Sequence, residues 1–209
     1  MTVKRERNSE KTKKAILEAA EEQFSTKGFY GARIDEIAEQ AQINKRMIYE
    51  YYTNKEELYK KVLFIVYKRM ELAETQLQAC AYTGVELIRS IIAMYFDFLY
   101  SNPNFVSILM WENLNKAKYL NELPADHIKR PTIRFFTDEI KRGIESGIYK
   151  TGIDENQVVI SLITVCFANF SNGHTLSKLF GMDLCSREMM EIRKQQTIDI
   201  MLAYLCKQQ

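Results

Sequence analysis

Only eight of the 209 residues are glycine and three are proline, the types that most often break helices and shape the turns between strands. No alternating apolar–polar runs lie between turn signals either, so a β-rich fold is excluded and an all-α fold is expected. Histidine is as scarce, with His127 and His174 far apart, and the four cysteines (Cys80, Cys166, Cys185, Cys206) form no C-x-x-C pair. That spacing leaves no zinc-ligand set, and no cofactor is expected. It also suits a reducing compartment, so the expected location is cytoplasmic. The N-terminus does not resemble a signal peptide, and no apolar run approaches the ~20 residues that span a bilayer. Val158 to Phe170 comes nearest, but it is short and interrupted by Ser161, Thr164 and Asn169, so no membrane partner is expected.

A surplus of charge of one sign is missing too. Twenty-nine Lys and Arg face 27 Asp and Glu, for a net charge of +2, and so bulk electrostatics gives no argument for nucleic acid. The distribution is more informative. Residues 1–61 hold 13 cationic and 11 anionic side chains, whereas the remaining 148 hold 16 of each, so the whole excess sits in the first third. Lys4, Arg5, Arg7, Lys11, Lys13 and Lys14 form a basic arm, which is either a solvated terminus or an electrostatic contact. Glycine-rich phosphate loops, nucleophile elbows and paired-carboxylate constellations are also lacking, and an enzyme is not expected.

What is present is apolar periodicity at helical spacing, with hydrophobic residues at 46 % and charged residues at 27 %, enough to fold unaided. Ser9 reads as the cap of a first helix carrying Ile16, Leu17, Ala20 and Phe24, which Gly28 ends. Ile34, Ile37, Ala38 and Ala41 mark a short second helix, and Asn44 caps a third. Asn54 with Glu57 makes a capping box for a long fourth helix through Leu58, Val62, Ile65, Val66 and Met70, which is expected to run to about Cys80 and to be broken at Gly84. An aromatic helix from Leu87 to Tyr100, a segment through Trp111 and a helix from about Thr132 to Gly147 follow. Asp154 then opens a helix that is apolar nearly all round, and a final helix starts near Ser186; about nine helices are expected in total. The apolar surface of these last two helices suits either an intramolecular core or a two-fold interface.

Helices two and three, each about two turns long and joined by a short turn, have the layout of a helix-turn-helix, whose second helix enters the DNA major groove. Ile43 and Ile48 face inward, while Lys45, Arg46 and Met47 occupy the exposed leading turn. The stretch GFYGARIDEIAEQAQINKRMIYEYYTNKEELYKKVL, residues 28–63, resembles the DNA-binding region of the tetracycline-repressor (TetR) family of bacterial transcriptional regulators. Gly28-Phe29, Ile37-Ala38, Tyr49, Tyr52 and Lys55-Glu56-Glu57-Leu58 fall in register, and the close match runs from Ser9 to Leu63. The rest of the chain resembles the family in helix count, length and its two apolar C-terminal helices.

The resemblance implies an N-terminal three-helix DNA-binding domain with its arm (1–55) and a larger helical effector-binding and dimerisation domain (56–209). It implies base-edge contact from Lys45 and Arg46, a thymine-methyl contact from Met47, and phosphate contacts from Tyr49, Tyr51 and Lys55, with Asn44, which starts the helix, also among the DNA-binding residues. Tyr52 reads better as core. Three positions depart from the family pattern: Gln42 stands where glycine is usual, Arg46 where a small residue is usual, and Ala32-Arg33 where a threonine or serine cap is usual, with Arg33 able to restore a phosphate contact. Glu50 is an anion among phosphates, open between pairing with a nearby cation and accepting from a cytosine amine.

The family's middle helices enclose a small-molecule effector pocket, and its last two form a four-helix dimer bundle. Candidate effector contacts are therefore Tyr95, Phe98, Trp111, Asn113, Phe136, Asn169 and His174, with core packing the competing reading for the aromatics and the histidine. Asn169, an amide in the most apolar helix, needs a ligand or a backbone partner. The implied protein is a ligand-responsive regulator: a homodimeric repressor that binds a palindromic double-stranded operator and is released by an effector. The alternative is a helical adaptor or ligand carrier of the same fold that has lost specific DNA binding.

Overall fold

The computed structural model describes residues 2–124 and 131–207, with side chains from Ser9 onward. His127, most of the expected loop from Pro124 to Pro131, and the side chains of Lys4, Arg5 and Arg7 lie outside the described residues. Among those described there are ten α-helices and one 3₁₀ turn, with no strand.

Helix α1 (Thr2–Gly31) begins eight residues earlier than a Ser9 cap would allow. Lys4, Arg5, Glu6 and Arg7 are good helix formers with no glycine or proline among them, so nothing stops the helix at Ser9. Its regular path breaks at Gly28 (φ 67, ψ 178), beyond which the chain makes one more turn. Helix α2 (Ile34–Gln40) starts at Arg33 with no side-chain cap, as Ala32-Arg33 suggested, and buries Ile34, Ile37 and Ala38. In the turn after it Gln42 has φ 55, the left-handed conformation expected of a position where glycine is usual. The turn holds because the Gln42 amide donates to the Glu39 carbonyl and the Ile43 amide to the Ala38 carbonyl, each at 3.0 Å.

Helix α3 (Lys45–Tyr51) is capped by the Asn44 carboxamide, which accepts from the Arg46 amide at 2.8 Å. Ile48 is its inward anchor, buried with Ile16, Phe24 and Ile37 in the core of this unit. Helix α4 (Lys55–Ala79) is capped by Asn54, which accepts from the Glu57 amide at 2.9 Å. The capping box is half made, since the Glu57 carboxylate lies 3.4 Å from the Lys60 ammonium. The break after α4 falls at Cys80 to Thr83, with Ala81 at φ 53, and Gly84 opens the next helix rather than ending this one.

The chain divides into two compact units, and α4 and α6 (Pro103–Leu114) each run from one into the other. The first holds α1 to α3, α4 up to Lys68, and α6 from Ser107 through the 3₁₀ turn at Leu120–Glu122. Its interior contains a carboxylate, Glu112, which accepts from the Tyr59 hydroxyl at 2.9 Å and the Leu120 amide at 3.0 Å. Burial first, and then the Glu112 charge, push the Tyr59 pKa well above the ordinary tyrosine value, so Tyr59 keeps its proton and donates.

The second unit holds the rest of α4, α5 (Gly84–Ser101), the start of α6, α7 (Pro131–Glu145), α8 (Glu155–Ser171), α9 (Gly173–Phe180) and α10 (Arg187–Leu205). Helices α5 and α8 pack on each other, and α7 and α10 each pack against both. The caps of the last long helices follow the sequence: Asp154 accepts from the Asn156 and Gln157 amides, and Ser186 from the Met189 amide. Helix α9 is the element the sequence did not announce. It is short, and Asn172 adjoins both helices as the C-cap of α8 and the residue before α9.

Candidate nucleic-acid interface

Helix α3 is held by Ile48 underneath and by the Asn44 cap at its start, which leaves its leading turn outward. Arg46 is 87 % exposed there, Lys45 is exposed beside it and Met47 is half-buried. Tyr49 is exposed, whereas Tyr51 and Tyr52 are half-buried. The Lys13 ammonium of α1 stands 5.6 Å from the Tyr51 ring centroid, which brings the end of the basic arm onto this surface. Lys55 opens α4 with its ammonium 4.8 Å above the Phe29 ring, and burial pushes its pKa down. Arg33 is exposed at the start of α2. The structure thus gathers Arg33, Asn44, Lys45, Arg46, Met47, Tyr49, Tyr51 and Lys55 into the α2–α4 region of one unit. Asn44 spends its side-chain oxygen on the cap.

Each cation of the leading turn has an anion of its own. The Lys45 ammonium lies 2.8 Å from the Asp35 carboxylate of α2, and that hydrogen bond raises the lysine pKa. The Arg46 guanidinium reaches the Glu50 carboxylate, one turn along α3, at 3.4 Å. Without DNA, Glu50 thus pairs with a nearby cation. Lys27 and Glu36 pair at 2.9 Å nearby, and this contact is the main cause holding the Glu36 carboxyl below its usual pKa. The i,i+4 spacing made the Arg46–Glu50 pair visible in sequence, but Asp35 and Lys13 come from other helices and carried no such signal.

Chemically, the surface offers outward cations and tyrosine hydroxyls on a capped, anchored short helix, which suits contact with phosphates and base edges. The model for the bacterial regulatory proteins of the tetR family matches residues 16–62, and that for the tetracyclin repressor-like C-terminal domain matches residues 85–201. The HTH-type transcriptional repressor NicS of Pseudomonas putida is 30 % identical over 187 residues, covering 88 % of this chain and 87 % of NicS. The chain belongs to the tetR family of bacterial regulatory proteins. It is a DNA-binding transcriptional regulator. The HTH-type transcriptional repressor SCO4008 of Streptomyces coelicolor is also 30 % identical, over 159 residues covering 76 % of this chain and 78 % of that one. The regulator FadR of Bacillus subtilis, solved in complex with stearoyl-CoA, shares the fold at a TM-score of 0.68 and 19 % identity, covering 91 % of this chain and 97 % of FadR.

The effector-contact candidates of this tetR-family regulator are divided between the two units. Trp111 and Asn113 belong to the first unit, where the Trp111 indole donates to the Ser25 carbonyl at 3.1 Å and its ring lies against Gly28; Asn113 is exposed. In the second unit Phe136 is fully buried and Phe98 meets Phe105 edge-on at 5.3 Å. Tyr95 is buried and donates to Glu74 at 2.7 Å, and Thr132 donates to the other oxygen of the same carboxylate at 2.7 Å. Glu74, fully buried, is the polar centre that sequence reading missed, because a lone glutamate on a helix looks solvated until its burial is known.

Asn169 finds the backbone partner a half-buried amide needs, donating to the Val165 carbonyl at 2.7 Å, while its oxygen accepts from the Arg193 guanidinium at 3.1 Å. This pair lies at the wall of an apolar cavity of about 460 Å³ lined also by Leu176, Phe180, Met189 and Ile192. His174 is exposed, with its ring nitrogen 3.7 Å from the Cys185 sulfur. A second cavity, of about 330 Å³, lies between α5 and α10, with Phe96, Tyr100, Arg187 and Met190 in its walls. No single helix among the described residues is long and apolar enough to cross a membrane.

Proposed function

We propose that this regulator is a homodimeric repressor that reads a palindromic double-stranded operator with α3 and releases it when a small-molecule effector binds. The observation that carries the reading is the leading turn of α3: Lys45 and Arg46 point outward from a helix fixed by the Asn44 cap and the buried Ile48. Arg46 would meet a base edge with Lys45 beside it, Met47 a thymine methyl, and Arg33, Tyr49, Tyr51 and Lys55 phosphates. The names of the two 30 % identical relatives, both HTH-type transcriptional repressors, support the sign of regulation. Residues 1–55 would do the reading, and 56–209 the effector binding and dimerisation. Such a protein acts where the DNA is, in the cytoplasm.

Dimerisation through α8 and α10 is supported by the apolar side chains they leave outward. Ile160, Ile192, Ile200 and Tyr204 are each about half exposed or more, a face that a two-fold mate would cover. Two copies then place two α3 helices in successive major grooves ~34 Å apart. An effector that binds better to the arrangement with the wrong spacing lowers DNA affinity by its differential affinity for the two states. Helix α4, which begins at the reading helix's exit and continues into the second unit, is the covalent path for that coupling. Nothing favours the adaptor, since Gln42 is accommodated in a hydrogen-bonded turn and Glu50 in an ion pair.

The test is a gel shift of the full-length protein on DNA upstream of its own gene against scrambled DNA, across salt. Preferential binding that falls steeply between ~50 and ~200 mM salt is expected for a regulator making several phosphate contacts. Equal affinity for both duplexes at ~100 mM salt would overturn the reading.

A further inference from the structure

The leading turn of α3 is an unusual DNA-facing surface because it brings its own counter-anions. Lys45 is bound by Asp35 at 2.8 Å and Arg46 by Glu50 at 3.4 Å, and Lys13 is bound by Glu10 at 3.0 Å. Asp35 is 72 % exposed and Glu50 57 %, so both carboxylates stand at the surface the DNA would occupy. Ion pairs this exposed contribute little to folding stability, and so folding does not explain their placement.

On DNA the same pairs matter more. Non-specific binding comes almost entirely from cations neutralising phosphates and releasing counterions. A carboxylate that already holds Arg46 withdraws that cation from any phosphate, and it also sets a negative charge against the backbone. A base edge can offset this where a phosphate cannot. Cytosine presents an N4 amine in the major groove that donates to a carboxylate, and the guanine paired with it presents the O6 and N7 acceptors that take an arginine. Glu50 and Arg46, four residues apart on one helix face, therefore match a C·G pair as a donor–acceptor set and mismatch plain phosphate.

We propose that Glu50 is a specificity-determining residue that works by repulsion: it depresses affinity for non-cognate DNA and is relieved where a cytosine amine lies beneath it, with Asp35 restraining Lys45 in the same sense. This rests on the DNA-reading function proposed above. It also accounts for an anion on a reading helix without treating it as decay of the site. Discrimination then arises as much from the penalty on wrong sequences as from contacts with the right one.

The experiment measures binding of the full-length protein by fluorescence anisotropy. One duplex is selected by the wild type from a random pool, and the other is mixed-sequence calf-thymus DNA. Glu50→Gln is close in shape and keeps helix propensity; Glu145→Gln, exposed on α7 in the second unit, makes the same change in net charge away from the reading face. Glu50→Gln is expected to raise affinity for the mixed-sequence DNA about tenfold per dimer and to steepen its salt slope by about one unit for each released arginine. Affinity for the selected duplex is expected to change less than about threefold, and Glu145→Gln to alter neither ratio nor slope. Repeating the selection with Glu50→Gln should lose the preference for C·G at one position in each half-site. Equal gains on both duplexes, no gain on either, or the same behaviour from Glu145→Gln would overturn the proposal. If the wild type selects no sequence at all, the DNA-reading function itself fails, which is a different result from a wild type that selects and a Glu50→Gln that selects identically.

Discussion

Gln42 shows how a single residue can depart from its family and still fold. Its φ of 55 costs an L side chain about 1 kcal/mol, which the two amide–carbonyl bonds of the turn hold in place. Gln42→Gly should therefore raise stability by roughly 0.5–1 kcal/mol, with part of the relieved strain lost to the greater freedom of glycine in the unfolded chain. The midpoint of urea unfolding, at unchanged m-value, measures it, and a lowered midpoint would show that the turn is not strained. The site residues divide by the kind of contact they make. Arg46→Ala should relax sequence preference at one or two base pairs at a cost of ~1–3 kcal/mol, whereas Lys55→Ala should weaken all sequences alike. Anisotropy titrations on operator and mismatched duplexes separate them, and equal losses from both variants would remove Arg46 from the base edge. At this scale the sequence was readable wherever the interaction was local. Asn44, Asp154 and Ser186 cap helices through amides two or three residues ahead, so spacing alone located them. Asp35, Lys13 and Glu74 act on partners from other helices, and only packing brings those together.

At the scale of elements, helix starts were easier to see than helix continuity. Asn54 caps α4 where expected, and because the Glu57 carboxylate turns to Lys60 instead of closing the box, Asn54 alone serves that helix end by side chain. Asn54→Ala should then cost ~1 kcal/mol in thermal or urea unfolding, while Glu57→Ala should cost less than about half of that. Comparable losses would mean that the box closes in solution. Helix α1 goes the other way: Ser9 has the chemistry of a cap, but strong helix formers on both sides carry the helix through it. Helix α9 is not visible in sequence because eight residues after a cap-free Asn172 leave little periodicity to find. Trp111 was assigned by its chemistry to a pocket, yet its ring fills the space beside Gly28, where a Cβ would come within 2.7 Å of it. No pattern on α6 could reveal that placement, since Ser25, whose carbonyl accepts from the indole, lies 86 residues away on α1.

For the whole molecule, helical content and the reading motif were legible because both are written in short-range periodicity and in the residues from Gly28 to Leu63. The surroundings of the candidate effector contacts were not, because packing alone decides which distant faces meet. Tyr95 and Phe136 turn out to be interior side chains, while Asn169 lines an apolar cavity with Arg193. The face left by α8 and α10 makes a prediction at this scale. Wild-type protein should run in light scattering at about twice its 24.5 kDa chain mass. Ile200→Glu, placing a charge on a residue 56 % exposed in the single chain, should move it toward the monomer while leaving helical circular dichroism unchanged. A wild-type monomer at all concentrations would contradict the dimer, and a dimer indifferent to the charge would place the interface elsewhere.

Selection of duplexes from a random pool at ~100 mM salt, where sequence-independent binding is weak, decides whether α3 reads base sequence from a symmetric dimer. Enrichment of a palindrome whose half-sites lie about one helical turn apart, ~34 Å, or a multiple of it, is expected, with loss of one enriched position per half-site when Arg46→Ala is used. A pool that stays random in the presence of folded dimer would contradict it.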